Sequence, residues 1–173
     1  MSNVLNPVEL TSALIKCRSI TPTSAGSIDL IISYLEPMGF KCKKIDFGQG
    51  DEKVENLYAR FGSLEPNICF AGHVDVVPTG DEQSWSIDPF GGEIKKGKIW
   101  GRGAADMKSG IAAFIAAVSE FMEINKNLKE YGSISFIITS DEEGKAINCT
   151  KKVVEWLIIK SEKISGCIVC EPT

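Results

Sequence analysis

The chain has 173 residues, 43% of them hydrophobic, with a formal net charge of −4 and six cysteines. That length fits one domain with its own apolar core, and an acidic balance with nothing more basic than Lys-Lys pairs excludes the electrostatic footprint of a nucleic-acid binder. No apolar stretch approaches the ~20 residues of a membrane span and Met1-Ser2-Asn3-Val4 carries no basic or apolar leader, so no membrane partner, a cytoplasmic location and reduced thiols are expected.

In chain order the pattern alternates helix and strand. Asn6-Pro7-Val8-Glu9 has the form of a helix start, and Leu10, Leu14 and Ile15 supply an apolar stripe to about Cys17. After a Pro/Thr/Ser-rich loop, Ile28 to Met38 reads as an amphipathic helix stopped by Gly39. Lys41 to Phe47 alternates as an edge strand does, and Asn56 to Phe61 and Asn67 to Gly72 read as strands. Asp81 to Gly97 reads as a long loop, and loops of that length tend to be functional. An Ala-rich helix is expected over Met107 to Met122, a strand over Ser133 to Thr139, a helix over Asn148 to Ile159 and a buried strand over Gly166 to Cys170. Such alternation argues for an α/β fold with a mainly parallel twisted sheet flanked by helices.

The single histidine, His73, closes the apolar run Ile68-Cys69-Phe70-Ala71-Gly72. The first polar residue after a buried parallel strand emerges at the carboxyl edge of the sheet, where open α/β sheets place ligands. Asp75 follows two residues later and is placed to hold the second imidazole nitrogen, as carboxylates do behind ligating histidines. Read alone, His73 could equally be a residue that merely ends a strand.

Three acidic sites gain meaning beside it. Asp106 ends Gly101-Arg102-Gly103-Ala104-Ala105-Asp106, where a dinucleotide fingerprint would need a small residue, so that cofactor reading fails; a helix N-cap is the structural alternative. Asp141-Glu142-Glu143 follows the strand ending at Thr139 and would by itself be a solvated turn. Glu171 follows the last strand. Converging at one sheet edge, one imidazole and several carboxylates are ligand chemistry for zinc or a similar divalent ion, and carboxylates can bridge two such ions. A Glu-Glu pair could supply both a ligand and the base that takes a proton from the attacking water. Cys167-Ile168-Val169-Cys170 has redox-motif spacing, but residues three apart on a strand face opposite sides, which favours buried structural cysteines.

Gly72-His73-Val74-Asp75-Val76-Val77-Pro78, the segment Trp85 to Phe90, Gly101 to Lys108 and Thr139-Ser140-Asp141-Glu142-Glu143-Gly144 together resemble the co-catalytic zinc peptidases that include aminoacylase, carboxypeptidase G and acetylornithine deacetylase. The resemblance runs from Ser19-Ile20-Thr21-Pro22 to Glu171-Pro172-Thr173. It implies that His73 ligates one zinc, Asp106 bridges two, Glu171 completes the first site and Glu143 belongs to the second. It further implies Glu142 as general base, Asp75 as the residue orienting His73, and a cis peptide at Asp106-Met107. The spelling of Gly101 to Lys108 favours the desuccinylating branch: hydrolysis of N-succinyl-LL-2,6-diaminopimelate to succinate and LL-2,6-diaminopimelate, in lysine and cell-wall precursor synthesis. A related N-acyl-amino-acid deacylase or carboxypeptidase, or a truncated non-catalytic binding product, are the alternatives.

Two departures bear on this. Cys149 and Cys170 stand where many relatives have glycine. Family members are also about twice as long, with a lid and dimerisation domain and a late histidine, so residues 1–173 read as the amino-terminal portion of the catalytic domain. The longer parent is expected to be a homodimer holding two Zn2+, with Co2+ possible at one site. The chain given is expected to bind at most one ion tightly and to be inactive alone.

Overall fold

The computed structural model describes residues 4–172. These residues form seven strands, β1 (Lys41–Phe47), β2 (Val54–Phe61), β3 (Asn67–His73), β4 (Glu93–Lys95), β5 (Lys98–Trp100), β6 (Ser133–Thr139) and β7 (Gly166–Val169), and four helices. These are α1 (Pro7–Lys16), α2 (Ser27–Leu35), α3 (Ser109–Ile124) and α4 (Thr150–Ile159).

Five strands form one sheet in the order β1-β2-β6-β3-β7. β6, β3 and β7 pair in parallel, β2 runs antiparallel to β6, and β1 antiparallel to β2. Only β2 therefore points against the others, and the sheet is mostly parallel, as the alternation of helix and strand implies. β1 is the outer strand expected from its alternating pattern.

Helices cover both faces. Leu10 and Leu14 of α1, Ile28, Ile31 and Leu35 of α2, and Ile111 and Ile115 of α3 pack on Leu57, Phe70, Phe136 and Ile138 of the sheet. Val153 and Leu157 of α4 pack on Ile45, Tyr58, Cys69 and Ile137 of the opposite face. Successive strand residues point to opposite faces, which is why Cys69 and Phe70, both fully buried, enter different clusters. Phe70 stacks on Phe114, with ring centroids 4.7 Å apart, and Phe136 meets the same ring edge-on at 5.4 Å.

Several elements differ from the sequence reading. The span 81–97 is not one loop: β4 and β5 form a hairpin across Lys96 and Gly97, both at positive φ. A two-residue turn with both residues left-handed fits the strand twist, but Lys-Gly lacks the Asn-Gly or Asp-Gly signal. The helix expected from Met107 starts at Ser109, after an irregular turn over Ala104–Lys108 in which Asp106 and Met107 have non-helical angles. Asp106 is therefore not the N-cap of that helix, a place taken by Lys108.

The thiols of the Cys167/Cys170 pair are exposed, correcting the expectation of buried cysteines, and β7 is exposed along most of its length. Among the described residues β7 is hydrogen-bonded only to β3, so no neighbour covers that side. Cys149 is buried.

Candidate metal centre

Strand register places the site. β3 and β6 run in parallel with His73 opposite Thr139, so the 141–143 turn emerges at the same edge as the imidazole. β3 and β7 pair with Ala71 opposite Val169; two residues further along each strand come His73 and Glu171. The turn holding Asp106 reaches the same edge from the start of α3.

The side chains converge accordingly. The His73 Nε2 atom lies 3.2 Å from Asp106 Oδ1, 3.6 Å from Glu171 Oε2 and 4.0 Å from Glu142 Oε2. One ligand atom from each of His73, Asp106 and Glu143 can be chosen so that all three lie within 4.8 Å of one another. Glu143 and Glu171 thus both gather round the imidazole that the sequence reading gave to the first ion alone. His73 is 1% exposed, whereas the side chains of Asp106, Glu142 and Glu171 are 44%, 52% and 46% exposed. The imidazole forms the floor of the site and the carboxylates its open rim.

Asp75 is fully buried beneath that floor. His73 Nδ1 is 2.9 Å from the Asp75 backbone carbonyl and 3.5 Å from the Asp75 carboxylate. Both acceptors favour a hydrogen on Nδ1, so that Nε2 is the nitrogen whose proton a metal ion would displace, its lone pair then facing the acidic rim. The Asp75 carboxylate also accepts hydrogen bonds from the backbone N–H groups of Glu142 and Glu143, at 3.2 and 3.1 Å. One buried carboxylate therefore fixes both the histidine and the loop carrying the glutamate pair, a second task the sequence gave no sign of.

The electrostatics follow from this crowding. Burial alone would lower the His73 pKa, but the Asp75 carboxylate and carbonyl, helped by Glu171, push it up to about 9. Burial would raise the Asp75 carboxyl, yet the His73 imidazole and the loop N–H groups hold it below its ordinary range. Glu143 is raised by burial and by the Asp106 charge, and Glu171 by burial together with Asp106 and Glu142, against the pull of His73. Negative charge is concentrated beyond what the lone histidine relieves, the condition in which a cation is favourable.

The residues present fit a divalent ion. The buried Nε2 of His73 and Oδ1 of Asp106 make no hydrogen bond within the described structure. Buried polar atoms without a hydrogen-bond partner call for an explanation, and here the two lie side by side at charge-contact distance. Nitrogen and oxygen donors from one histidine and several carboxylates suit zinc and its first-row neighbours.

Reasoning from sequence missed two residues that shape the site. The Asp106-Met107 peptide is cis, as the resemblance implies, and Met107 lies fully buried with its sulfur 3.4 Å from the backbone N of His73, accepting that N–H. Lys108 is also fully buried, and its Nζ donates to the carbonyls of Leu14 and Cys17, each at 2.9 Å. Burial brings its pKa down to about 8. The clue was position alone, next to a candidate ligand, because neither residue type signals such a role.

A mostly parallel α/β sheet with a histidine and acidic cluster at its carboxyl edge defines a class of metallohydrolase-like domains, and the chain belongs to peptidase family M20/M25/M40, which matches residues 69–173. It is 54% identical over 169 residues to the succinyl-diaminopimelate desuccinylase of Rhodospirillum centenum, covering 97% of this chain and 43% of that protein. It is 48% identical over 173 residues to the enzyme of the same name from Phenylobacterium zucineum, covering 100% of this chain and 44% of that protein. The chain thus spans less than half the length of these relatives. Among solved structures, human carnosine dipeptidase 1 superposes with a TM-score of 0.76 at 24% identity over 94% of this chain and 37% of its own. The M20 family metallo-carboxypeptidase Sso-CP2 from Sulfolobus solfataricus gives 0.80 at 20% identity over 95% and 37%. These two establish the shared fold.

Proposed function

We propose that this chain is the amino-terminal, ligand-bearing portion of a metal-dependent amide hydrolase that removes succinate from N-succinyl-LL-2,6-diaminopimelate. The observation that carries the metal part is the pair of buried atoms without a hydrogen-bond partner, His73 Nε2 and Asp106 Oδ1, ringed by three glutamates. The substrate rests on the names of relatives about half identical along the whole chain.

In this reading His73, Asp106 and Glu171 would hold one zinc, and Asp106 and Glu143 would contribute ligands to a second. Cobalt could replace zinc at one site. The bound ions would supply Lewis acidity, polarising the scissile carbonyl and easing deprotonation of water. Glu142, on the exposed rim 4.0 Å from Nε2, takes a proton from the attacking water and passes it to the leaving amine, so that water is added across the C–N bond. Asp75 acts from beneath, keeping the hydrogen on Nδ1. Among the described residues no helix is long and apolar enough to cross a membrane; a cytoplasmic small-molecule enzyme is part of this proposal. The homodimeric parent is carried by the family resemblance alone.

The test has two arms. A version extended to the length of the relatives should release succinate from the succinylated substrate; hydrolysis only of other N-acyl amino acids would redirect the substrate assignment. The 173-residue chain, having one histidine, should bind at most one zinc tightly in a calorimetric titration and release no succinate. Two tight sites, or turnover above a Glu142→Ala control, would refute the division of ligands.

A further inference from the structure

Lys108 is a buried cation that the proposed chemistry does not use. Lysine is rarely buried completely, and then only with its ammonium hydrogen-bonded. Here it spans two segments. Its own backbone N–H donates to Gly103 O at 3.0 Å, closing the turn that presents Asp106. Its Nζ reaches the carbonyls of Leu14 and Cys17 at the end of α1, where helix carbonyls lack intrahelical donors and the dipole favours a positive charge.

From that helix end the contacts continue to the histidine side of the site. Cys17 O also accepts from Ser19 N at 2.8 Å. Ser19, fully buried, donates its hydroxyl to Val74 O at 2.6 Å and accepts Val76 N–H at 2.9 Å. Val74 and Val76 flank Asp75 and follow His73 directly. The Asp106 turn also packs on Val76 itself: a Cβ added to Gly103 would lie 2.5 Å from Val76 Cγ1 and 3.3 Å from Lys108 Cδ. Gly103 has φ +77 as well, so the close approach needs glycine on two counts.

We propose that Lys108 is a positioning residue for the metal centre: its ammonium, bonded to the end of α1, holds the Asp106 turn in register with the segment carrying His73 and Asp75. The two donors 3.2 Å apart come from segments that share no strand pairing, so a tether between them sets how far apart they sit. Methionine at this position would fill much of the space but take the ammonium donor from both carbonyls, leaving Leu14 O with Cys17 N–H and Cys17 O with Ser19 N–H alone and loosening the α1 end from the Asp106 turn. This inference rests on the metal reading above.

The test uses Co2+, whose visible absorption reports ligand number and geometry, so that it reads the site without turnover. The unsubstituted chain should bind Co2+ with an absorption spectrum typical of nitrogen and oxygen ligation. Lys108→Met should keep the far-ultraviolet circular dichroism of the folded chain, weaken Co2+ about 10–100-fold, the usual size of a loss behind the ligands, and alter the spectrum. Ser19→Ala should weaken Co2+ less, and adding it to Lys108→Met should weaken binding no further, the non-additivity of residues acting through one connection. A folded Lys108→Met chain with unchanged affinity and spectrum would overturn the proposal, whatever its thermal stability. If Lys108→Met does not fold, Ser19→Ala decides: unchanged Co2+ affinity and spectrum would overturn it. Failure of the unsubstituted chain to bind Co2+ at all would instead defeat the metal reading, and this inference with it.

Discussion

Proton and metal compete for His73, and the structure sets the terms. In the metal-free fold the imidazole is held up to about 9 by Asp75 and Glu171 in spite of its burial, against an ordinary value of about 6.5 in an unfolded chain. The raised value means the protonated histidine stabilises the fold by about 3 kcal/mol, at 1.36 kcal/mol per pKa unit. That stabilisation is complete below about pH 6.5 and is lost as pH rises toward 9. Between pH 6.5 and 8 the metal-free chain should lose about 1.5 kcal/mol on this account. Lys108 acts in the opposite sense, because its pKa is lowered, but chiefly above its folded value of about 8, so His73 dominates the lower window. Metal binding shows the opposite trend. Zinc must displace the proton, so at pH 7 only about 1% of the imidazole is free and affinity should be about a hundredfold below its high-pH limit, rising about tenfold per pH unit. Titration calorimetry at pH 7 in two buffers of different ionisation enthalpy should report about one proton released per ion. Affinity that stays flat between pH 6.5 and 8.5, with no proton released, would refute the protonated Asp75–His73 arrangement.

Four substitutions probe the remaining assignments. In the extended enzyme, Glu142→Gln should cost about 10²–10⁴-fold in turnover while metal content stays near normal; metal lost in step with activity would mean the two glutamates had been assigned the wrong way round. Asp106→Ala should lower occupancy of both ions there, whereas Glu143→Ala should lower mainly one, and two ions still bound to Asp106→Ala by metal analysis would eliminate the bridge. In the core, Phe70→Ala should destabilise the chain by about 3–5 kcal/mol in urea unfolding, because its fully buried ring packs on Phe114 and Phe136; a loss below about 1 kcal/mol would indicate that the cavity collapses.

Ligand-type residues and most elements were legible along the chain because their signals are local. The period-two and helical patterns gave β1 within its observed bounds and α1, β3 and β6 to within a residue. Acidic residues and a lone histidine placed just after apolar strands marked the candidate ligands. The β4–β5 hairpin, the exposure of Cys167 and Cys170 and the start of α3 were not legible: a Lys-Gly turn has no strong signature, and exposure depends on what lies alongside a strand.

The sequence by itself determined which side chains could ligate a metal and that each would leave the end of a strand or a glycine-rich turn. Only the tertiary structure decided that they meet. The order β1-β2-β6-β3-β7 brings together three strands distant in sequence, and their parallel register sets His73, the 141–143 turn and Glu171 at one level. The same is true of the second task of Asp75 and of the buried Lys108: each holds segments 67 to 94 residues away in sequence. A local pattern carries no record of such contacts, since long-range pairing is selected by burial and hydrogen-bond satisfaction over the whole fold.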